Sequence, residues 1–291
     1  MKQVLARDEW LPRAIAHRAR VEHLSAEVRN RKQHGLSHPI DDFMWTYYSQ
    51  RPTQFMRWHP GYGVQLADAP EYAHERGYHL LDDRAEVSPE FVSRRREALQ
   101  WIVDLQLTMI EREPRFRCFG LHEWAMVYQL EQSEVRHETA PLRLSRAEIA
   151  AVVEAQELKC THYDAFRFYV PSARSLNHLI LKREQQPANE QSGCLHANMD
   201  LYKWCYKAAP VVDSDLMVRC FELARRIRTL DMQAAPYDLS QWGLAPVAIE
   251  TTDGRAEYVR QQREFQSEAT HLRRELLAQL SAALSEQRVS A

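Results

Sequence analysis

The sequence predicts a mainly α-helical protein, and three observations support that fold class. Apolar residues recur at helical spacing through several long segments. A stretch rich in strand-forming residues is confined to 166–170 (FRFYV), so at most a short strand pair is expected. No internal repeat and no linker interrupts the chain, so residues 1–291 are expected to form a single helical domain with long irregular loops. Subdomains 1–140 and 141–291 are the alternative division.

The first part of the chain predicts two helices followed by a loop. Trp10, Val21 and Val28 belong to an apolar stripe that predicts a helix from Asp8 to about Lys32, and Gly35 is expected to end it. A short helix is predicted from position 41 or 42 to about 50. Residues 60–88 are rich in Pro, Gly, Asp and His and are expected to be loop.

The middle of the chain carries clear helix start signals. Ser88 is a helix-capping residue followed by proline, which predicts one helix to about Glu113, apolar on most of its circumference and therefore central. Gly120 precedes a further helical segment (LHEWAMVYQLEQ). Ser145 and Glu148 have the spacing of a capping box and predict another helix start.

The second half of the chain is expected to end in three helices. Residues 159–181 fit either a short strand or irregular structure, and 187–193 read as a polar loop. Helical periodicity returns at about 195–208, 214–232 and 255–286.

Composition limits the function and the environment. Lys and Arg number 38 against 40 Asp and Glu, a net charge of -2, which argues against a protein that coats nucleic acid. We interpret the arginines at 219, 225, 226 and 228 as a solvated helix face. No apolar leader or membrane-length run occurs, so we expect a cytoplasmic protein with no membrane partner. Its five cysteines are expected to be reduced thiols.

Residues 38–61 (HPIDDFMWTYYSQRPTQFMRWHPG) mix six aromatic rings with ionisable groups and turn residues. That mixture is typical of a pocket that stacks a flat ligand and binds its polar edge, and electron-rich rings would favour a cationic one. An aromatic core beneath a folded-back loop is the alternative. The candidate substrate-binding residues of this segment are Trp45, Tyr47, Tyr48, Arg51, Trp58 and His59.

Three further segments combine acidic, basic and aromatic residues: LHEW at 121–124, THYDAFRFY at 161–169 and CLHANMDLYKW at 194–204. His196, Asp200 and Lys203 fall at i, i+4 and i+7, which is one face of a helix. That face can present a carboxylate and a base to one cleft, although Asp200 and Lys203 also fit a plain helical ion pair. The candidate catalytic residues are Asp200, His196, Asp164 and Glu123, with Arg167 and Lys203 as further substrate-binding candidates.

Histidine spacing raises a metal hypothesis. Cysteine and histidine lie close together at 118/122, 160/162 and 194/196, as two zinc ligands could. The Glu-x-x-His spacing of di-iron bundles occurs at 71/74, 134/137 and 268/271. Two histidines and one carboxylate would suit non-haem iron. The candidate ligands are His122, His162 and His196, and the candidate cofactor is iron or zinc.

Several of these segments together resemble a bacterial family of 3-methyladenine DNA glycosylases. The similarity spans residues 38 to 258 and is carried by HPIDDFMWTYYSQRP, RWHPG, LHEWAMVY, THYDAFRFY, GCLHANMDLYKW and PYDLSQWGLAPVAIETTDGRAEY. It implies that a cationic base flipped out of DNA enters an aromatic pocket. Within this hypothesis we nominate Asp200 or Asp164, oriented by His196, as the carboxylate that acts when the glycosidic bond breaks.

Three hypotheses therefore stay open on the sequence. The first is a base-excising glycosylase whose partners are DNA and a flipped nucleobase, although the overall charge is not basic. The second is a metal-dependent enzyme for a small planar molecule. The third is a helical protein that binds a ligand without catalysis. The sequence gives no indication of the oligomeric state.

Overall fold

Helices dominate the computed structural model, which describes residues 2–135 and 140–289, with side chains as far as 286. Sixty per cent of the chain is helical and 7% is strand, so the predicted mainly α fold is confirmed. The helices occupy the following ranges: α1 Arg7–Gln33, α2 Asp41–Thr46, α3 Pro52–Phe55, α4 Pro89–Arg94, α5 Arg96–Glu111, α6 Leu121–Met126, α7 Arg146–Ala155, α8 Tyr163–Phe166, α9 Pro171–Arg174, α10 Gln186–Asn189, α11 Leu195–Ala208, α12 Ser214–Ala234 and α13 Thr252–Val289.

A small sheet occupies a region that was expected to be loop. Its strands are β1 Gln3–Leu5, β2 Val64–Ala67, β3 Tyr78–Leu81 and β4 Arg84–Val87, in the order β1-β2-β4-β3. β1 runs parallel to β2, and the other pairs are antiparallel. The loop prediction for 60–88 was wrong because strands of three or four residues are too short to show a clear alternation.

The short strand that was one of two alternatives for 159–181 does not form at 166–170. This segment follows α8 and turns directly into α9, so the strand-forming residues Phe166 and Val170 lie at the ends of short helices. Their backbone amides bond within the local turns or to α6, since Phe166 donates to the carbonyl of His162 and Val170 to that of Ala125. Packing has overridden strand propensity here.

The long helix predicted from Ser88 is two helices. The Ser88 hydroxyl accepts a hydrogen bond from the Phe91 amide and caps α4, as its position indicated. The helix breaks at Arg95, and α5 starts after it. Trp101 and Leu107 on α5 are 39% and 43% exposed, so α5 is amphipathic and lies at the surface.

The central helix of the fold is α11. It packs against α12 and α13, and its first eight residues are all buried. Buried apolar side chains from Leu5 to Leu284 form one cluster that includes residues from both halves of the chain. Placing the histidine-containing turn of α11 inside this cluster forces its polar side chains to find partners within the protein.

Within the described residues, no helix combines the length and the apolar character that crossing a lipid bilayer requires.

Candidate functional site

A cavity of about 500 Å³ opens between α2, α6, α8, α11 and α12. The structure therefore brings the beginning of the aromatic segment together with the LHEW, THYDAFRFY and CLHANMDLYKW segments. Its size is in the range of sites for small organic ligands. The lining residues are Ser37, His38, Pro39, Asp42, Phe43, Thr46, Tyr47, Glu123, Met126, Asp164, Ala165, Arg167, Phe168, His196 and Arg228.

Helix α6 is held so that its first turn faces the interior. Gly120 precedes it in the left-handed conformation at φ 71°, which favours glycine. The Trp124 indole N–H donates a 2.8 Å hydrogen bond to the carbonyl of Ala234 at the end of α12. These two features direct His122 and Glu123 towards α12.

Arg228 of α12 joins two carboxylates at the wall of the cavity. One guanidinium nitrogen lies 2.5 Å from Glu123 Oε1 and 2.6 Å from Asp231 Oδ2. Arg228 is 1% exposed, so the pairing with these carboxylates offsets the cost of burying its charge. The second oxygens of Glu123 and Asp231, Oε2 and Oδ1, are buried and have no hydrogen-bond partner in the described structure.

His122 approaches Asp231 without forming an aligned hydrogen bond. The distance from His122 Nε2 to Asp231 Oδ1 is 3.0 Å, yet both atoms lack a hydrogen-bond partner in the described part of the chain. The His196 ring stands perpendicular to that of His122, with the centroids 4.4 Å apart. One ligand atom from each of these three residues lies within 4.8 Å of the others, which meets the spacing of a metal-binding group.

The pKa values of these three residues diverge. Burial lowers the pKa of His122, but the Asp231 carboxylate outweighs it and the net pKa is raised. Burial would raise the pKa of Asp231, yet His122 and Arg228 bring it below its usual range. Burial and then the charge of His122 lower the pKa of His196 well below its usual value. His196 is therefore neutral at pH 7 and can offer a ring nitrogen to a ligand.

A second buried cluster lies on the other side of His196, around His162. The centroids of the two rings are 5.4 Å apart. His162 Nε2 lies 3.2 Å from Glu190 Oε1 and 3.3 Å from Asp200 Oδ2. Lys203 Nζ lies 2.7 Å from Asp200 Oδ2, so Asp200 is paired twice and does not line the cavity.

Charges in this second cluster are balanced by close pairing. Burial opposes ionisation of Asp200, but Lys203 and His162 lower its pKa below the usual range. Burial lowers the pKa of His162, but the carboxylates of Glu190 and Asp200 raise it by more, so the pKa lies above its usual value. Lys203 also lies 3.0 Å from Asp164 Oδ2, which connects the cluster to the cavity wall. Asp200 and Lys203 therefore form the helical ion pair that was one of the two interpretations of this helix face.

Of the six aromatic residues in the 38–61 segment, only Phe43 and Tyr47 are among the residues that line the cavity. Tyr47 lines it beside Phe43, with the two rings stacked at 4.8 Å and 12°. Trp45 packs instead against Phe55 and Phe221. Tyr48 is buried against Tyr202 at a centroid distance of 5.1 Å.

The remaining substrate-binding candidates of that segment lie away from the cavity. Trp58 is a 4% exposed core residue, and Arg51 is exposed. His59 is buried with Nδ1 3.1 Å from the Tyr78 hydroxyl. The candidate residues of this segment therefore do not meet around one ligand, because the chain turns into α3 and Trp58 and His59 are packed in the core.

The other candidates occupy the cavity rim or the second cluster. Arg167 lines the cavity, with Nε 3.1 Å from Asp164 Oδ1. The predicted ligands His122 and His196 belong to the possible metal group, whereas His162 pairs with Glu190 and Asp200. The metal-binding group among the described residues contains no cysteine. Cys160, which was considered together with His162, instead points its Sγ at the carbonyl oxygen of that residue.

The Glu-x-x-His pairs do not form a di-iron site in the described structure. Glu71, His74 and His271 are exposed, and Glu268 is partly exposed. Glu71 is bound by Arg7 and Glu268 by Arg226, as surface ion pairs. The third pair includes His137, which lies outside the described residues.

Sequence reasoning missed Asp231, Arg228 and Glu190. Arg228 was interpreted as part of a solvated face, and that interpretation was wrong. A signal for it existed, because Phe221, Ala224, Arg228 and Asp231 follow one another at i, i+3, i+7 and i+10 on a buried stripe of α12. Charged residues that continue an apolar stripe indicate a buried polar site.

No family model matches this chain, and neither a curated protein nor a solved structure shows significant similarity to it.

Proposed function

We propose that the protein is a metal-dependent enzyme whose centre is held by His122, His196 and Asp231. The observation that carries the proposal is the 3.0 Å approach of His122 Nε2 to Asp231 Oδ1 without hydrogen-bond alignment. Two ligand atoms that bind one ion at about 2.1 Å and at right angles are about 3.0 Å apart. Both atoms are thus spaced like neighbouring ligands of one ion.

The surroundings of the three residues suit a metal centre. Arg228 holds Asp231 Oδ2 and leaves Oδ1 for a ligand bond, which is the orienting role that outer residues have in metal sites. His196 lines the cavity while His122 and Asp231 lie beneath it, so a substrate would approach the ion from the His196 side. Two histidines and one carboxylate with open positions favour non-haem iron, with zinc as the alternative.

Metal content tests the proposal directly. Protein produced without an affinity tag and reconstituted with Fe²⁺ or Zn²⁺ is expected to retain about one ion per chain. Asp231→Asn and His196→Gln should each lose it, while Asp215→Asn, an exposed position on the same helix, should keep it. Circular dichroism checks that each variant is folded. Equal metal content in folded Asp231→Asn and wild-type protein would overturn the proposal.

Base excision, which the resemblance implies, is the second proposal. It is supported by Asp164, whose carboxylate lines the same cavity as the stacked Phe43 and Tyr47. Asp164 rather than Asp200 would then act at the glycosidic bond, because Asp200 does not line the cavity. Release of 3-methyladenine from alkylated DNA that is lost in Asp164→Asn and unaffected by a chelator would favour it. If the protein binds a ligand without catalysis, which is the third hypothesis, the ligand is recovered chemically unchanged.

A further inference from the structure

The residues that line the cavity include aromatic side chains and two side chains with unsatisfied polar atoms. Phe43 on α2 and Tyr47, which directly follows that helix, are one helical turn apart; their rings stack at 4.8 Å, and the Arg228 guanidinium lies over the Phe43 ring at 4.1 Å. Met126 and Phe168 add further apolar surface. A wall of this kind is suited to planar ligands, which gain dispersion contacts over a whole ring.

Two polar atoms of lining residues are buried without a hydrogen-bond partner. One is Glu123 Oε2, in a side chain that is 2% exposed, and the other is the hydroxyl oxygen of Tyr47. A buried carboxylate oxygen that lacks a donor is costly, so a bound molecule that supplies one gains the full interaction. Glu123 is not a member of the metal-binding group, which leaves Oε2 for a substrate.

The cations of the cavity are already paired with carboxylates. Arg228 pairs with Glu123 and Asp231, and Arg167 pairs with Asp164. An anionic substrate would have to compete with these carboxylates for each guanidinium group. A neutral substrate has no such competition. A cationic one would compete with the guanidinium groups that already lie over the Phe43 ring (Arg228, 4.1 Å) and the Phe168 ring (Arg167, 4.0 Å).

We propose that the substrate is a planar nitrogen heterocycle that presents an amino or ring N–H edge. Its N–H groups donate to Glu123 Oε2 and to the Tyr47 hydroxyl, and its ring packs against the lining side chains of Tyr47, Met126 and Phe168. This substrate class rests on the proposed metal-dependent function, because the same molecule is placed beside His196. Recognition itself needs no metal, so the two proposals can be tested apart.

The test uses metal-free protein and two probes of matched size, measured by calorimetry. In 2-aminobenzimidazole, ring N–H and amino groups form one donor edge, whereas 2-methylbenzimidazole lacks the amino donor. Hydrogen bonds to charged groups are the stronger ones, so the amino probe is expected to bind about tenfold tighter or more. Glu123→Gln should remove most of this preference, because an amide N–H₂ in place of Oε2 would meet the donor edge.

Tyr47→Phe serves as the second variant, since it removes the hydroxyl and keeps the ring. It should weaken the amino probe by a few fold. Tyr202→Phe is the matched control, because the Tyr202 hydroxyl is also buried without a partner but does not line the cavity. The affinity of Tyr202→Phe for the amino probe should equal that of the wild type.

Equal binding of both probes, or an unchanged preference in folded Glu123→Gln, would overturn the substrate class. If the protein with either of these results still retains its metal ion, the substrate class alone is refuted and the proposed metal centre stands. Conversely, a Glu123-dependent preference in a protein that retains no metal would support the ring site and refute the metal centre.

Discussion

His122 and Asp231 belong to helices α6 and α12 and meet in the interior with Nε2 and Oδ1 3.0 Å apart, unaligned for a hydrogen bond. A buried pair of this kind is ordinarily stabilised by a linear N–H···O bond. His162 Nε2 and Glu190 Oε1 form a similar buried contact at 3.2 Å, but among the described residues only the His122–Asp231 pair has a further histidine, His196, within metal-ligand spacing. His196 completes the group from α11, so three helices converge on one point.

Metal binding at the proposed centre is expected to stabilise the folded protein, because its three ligand residues lie close together in the native state and not in the unfolded chain. At a free Fe²⁺ or Zn²⁺ concentration one hundred times the Kd, the gain in unfolding free energy is about 2.7 kcal/mol. Thermal unfolding with and without metal measures it. His122→Ala should abolish the shift, whereas His271→Ala, at an exposed position, should show the wild-type shift. The same shift in His122→Ala would contradict the site.

Arg228→Met is expected to destabilise the fold by about 3–5 kcal/mol, because it leaves Glu123 and Asp231 as buried charges without their cation. Adding Glu123→Gln to that variant should recover part of the loss by removing one of the charges. Urea unfolding gives both values. Arg226→Met is the matched control on the same helix: its ion pair with Glu268 is exposed, so the cost should stay below about 1 kcal/mol.

Trp58→Ala is expected to cost about 3–5 kcal/mol of stability, because it opens a cavity in the core. Affinity of the folded fraction for 2-aminobenzimidazole should remain at the wild-type level, since Trp58 does not line the cavity. Tyr47→Ala should lose less stability than Trp58→Ala and more affinity for 2-aminobenzimidazole. Unfolding and binding curves on both variants decide between the roles, and weaker binding in folded Trp58→Ala would argue for a ligand contact.

The free energy of unfolding is expected to decrease as the pH falls below about 6.5, where an exposed histidine takes up a proton. Burial, and then the Arg57 charge, lower the pKa of His59 to about 3. The unfolded chain takes up this proton near pH 6.5 and the folded chain does not, so the contribution is complete above pH 6.5 and decreases below it. The slope is at most about 1.4 kcal/mol per pH unit.

The difference between wild type and His59→Gln isolates this contribution. Urea unfolding at several pH values between 7 and 5 should show the variant losing less stability than the wild type, by up to about 2 kcal/mol at pH 5. Parallel pH profiles for the two proteins would show that His59 is not held neutral in the folded state.

Local signals in the chain were sufficient for most of the helices. The stripe of α1, the capping serines at 88 and 145 and the face formed by His196, Asp200 and Lys203 all depend on neighbours within a few residues. The short strands of the sheet lacked such a signal, because each is stabilised by pairing with a distant strand. Leu66, for example, pairs with Ala85 of β4.

The sequence by itself therefore determined the helical class, the starts of most of the longer helices and three of the segments that meet at the cavity. Only the tertiary structure decided which side chains enter it: Phe43 and Tyr47 line the wall, while Trp58 and His59 are packed in the core. It likewise decided that Glu123 meets Arg228 across 105 residues. Periodicity reports which face of a helix is buried, but the partner on that face is set by how distant helices pack.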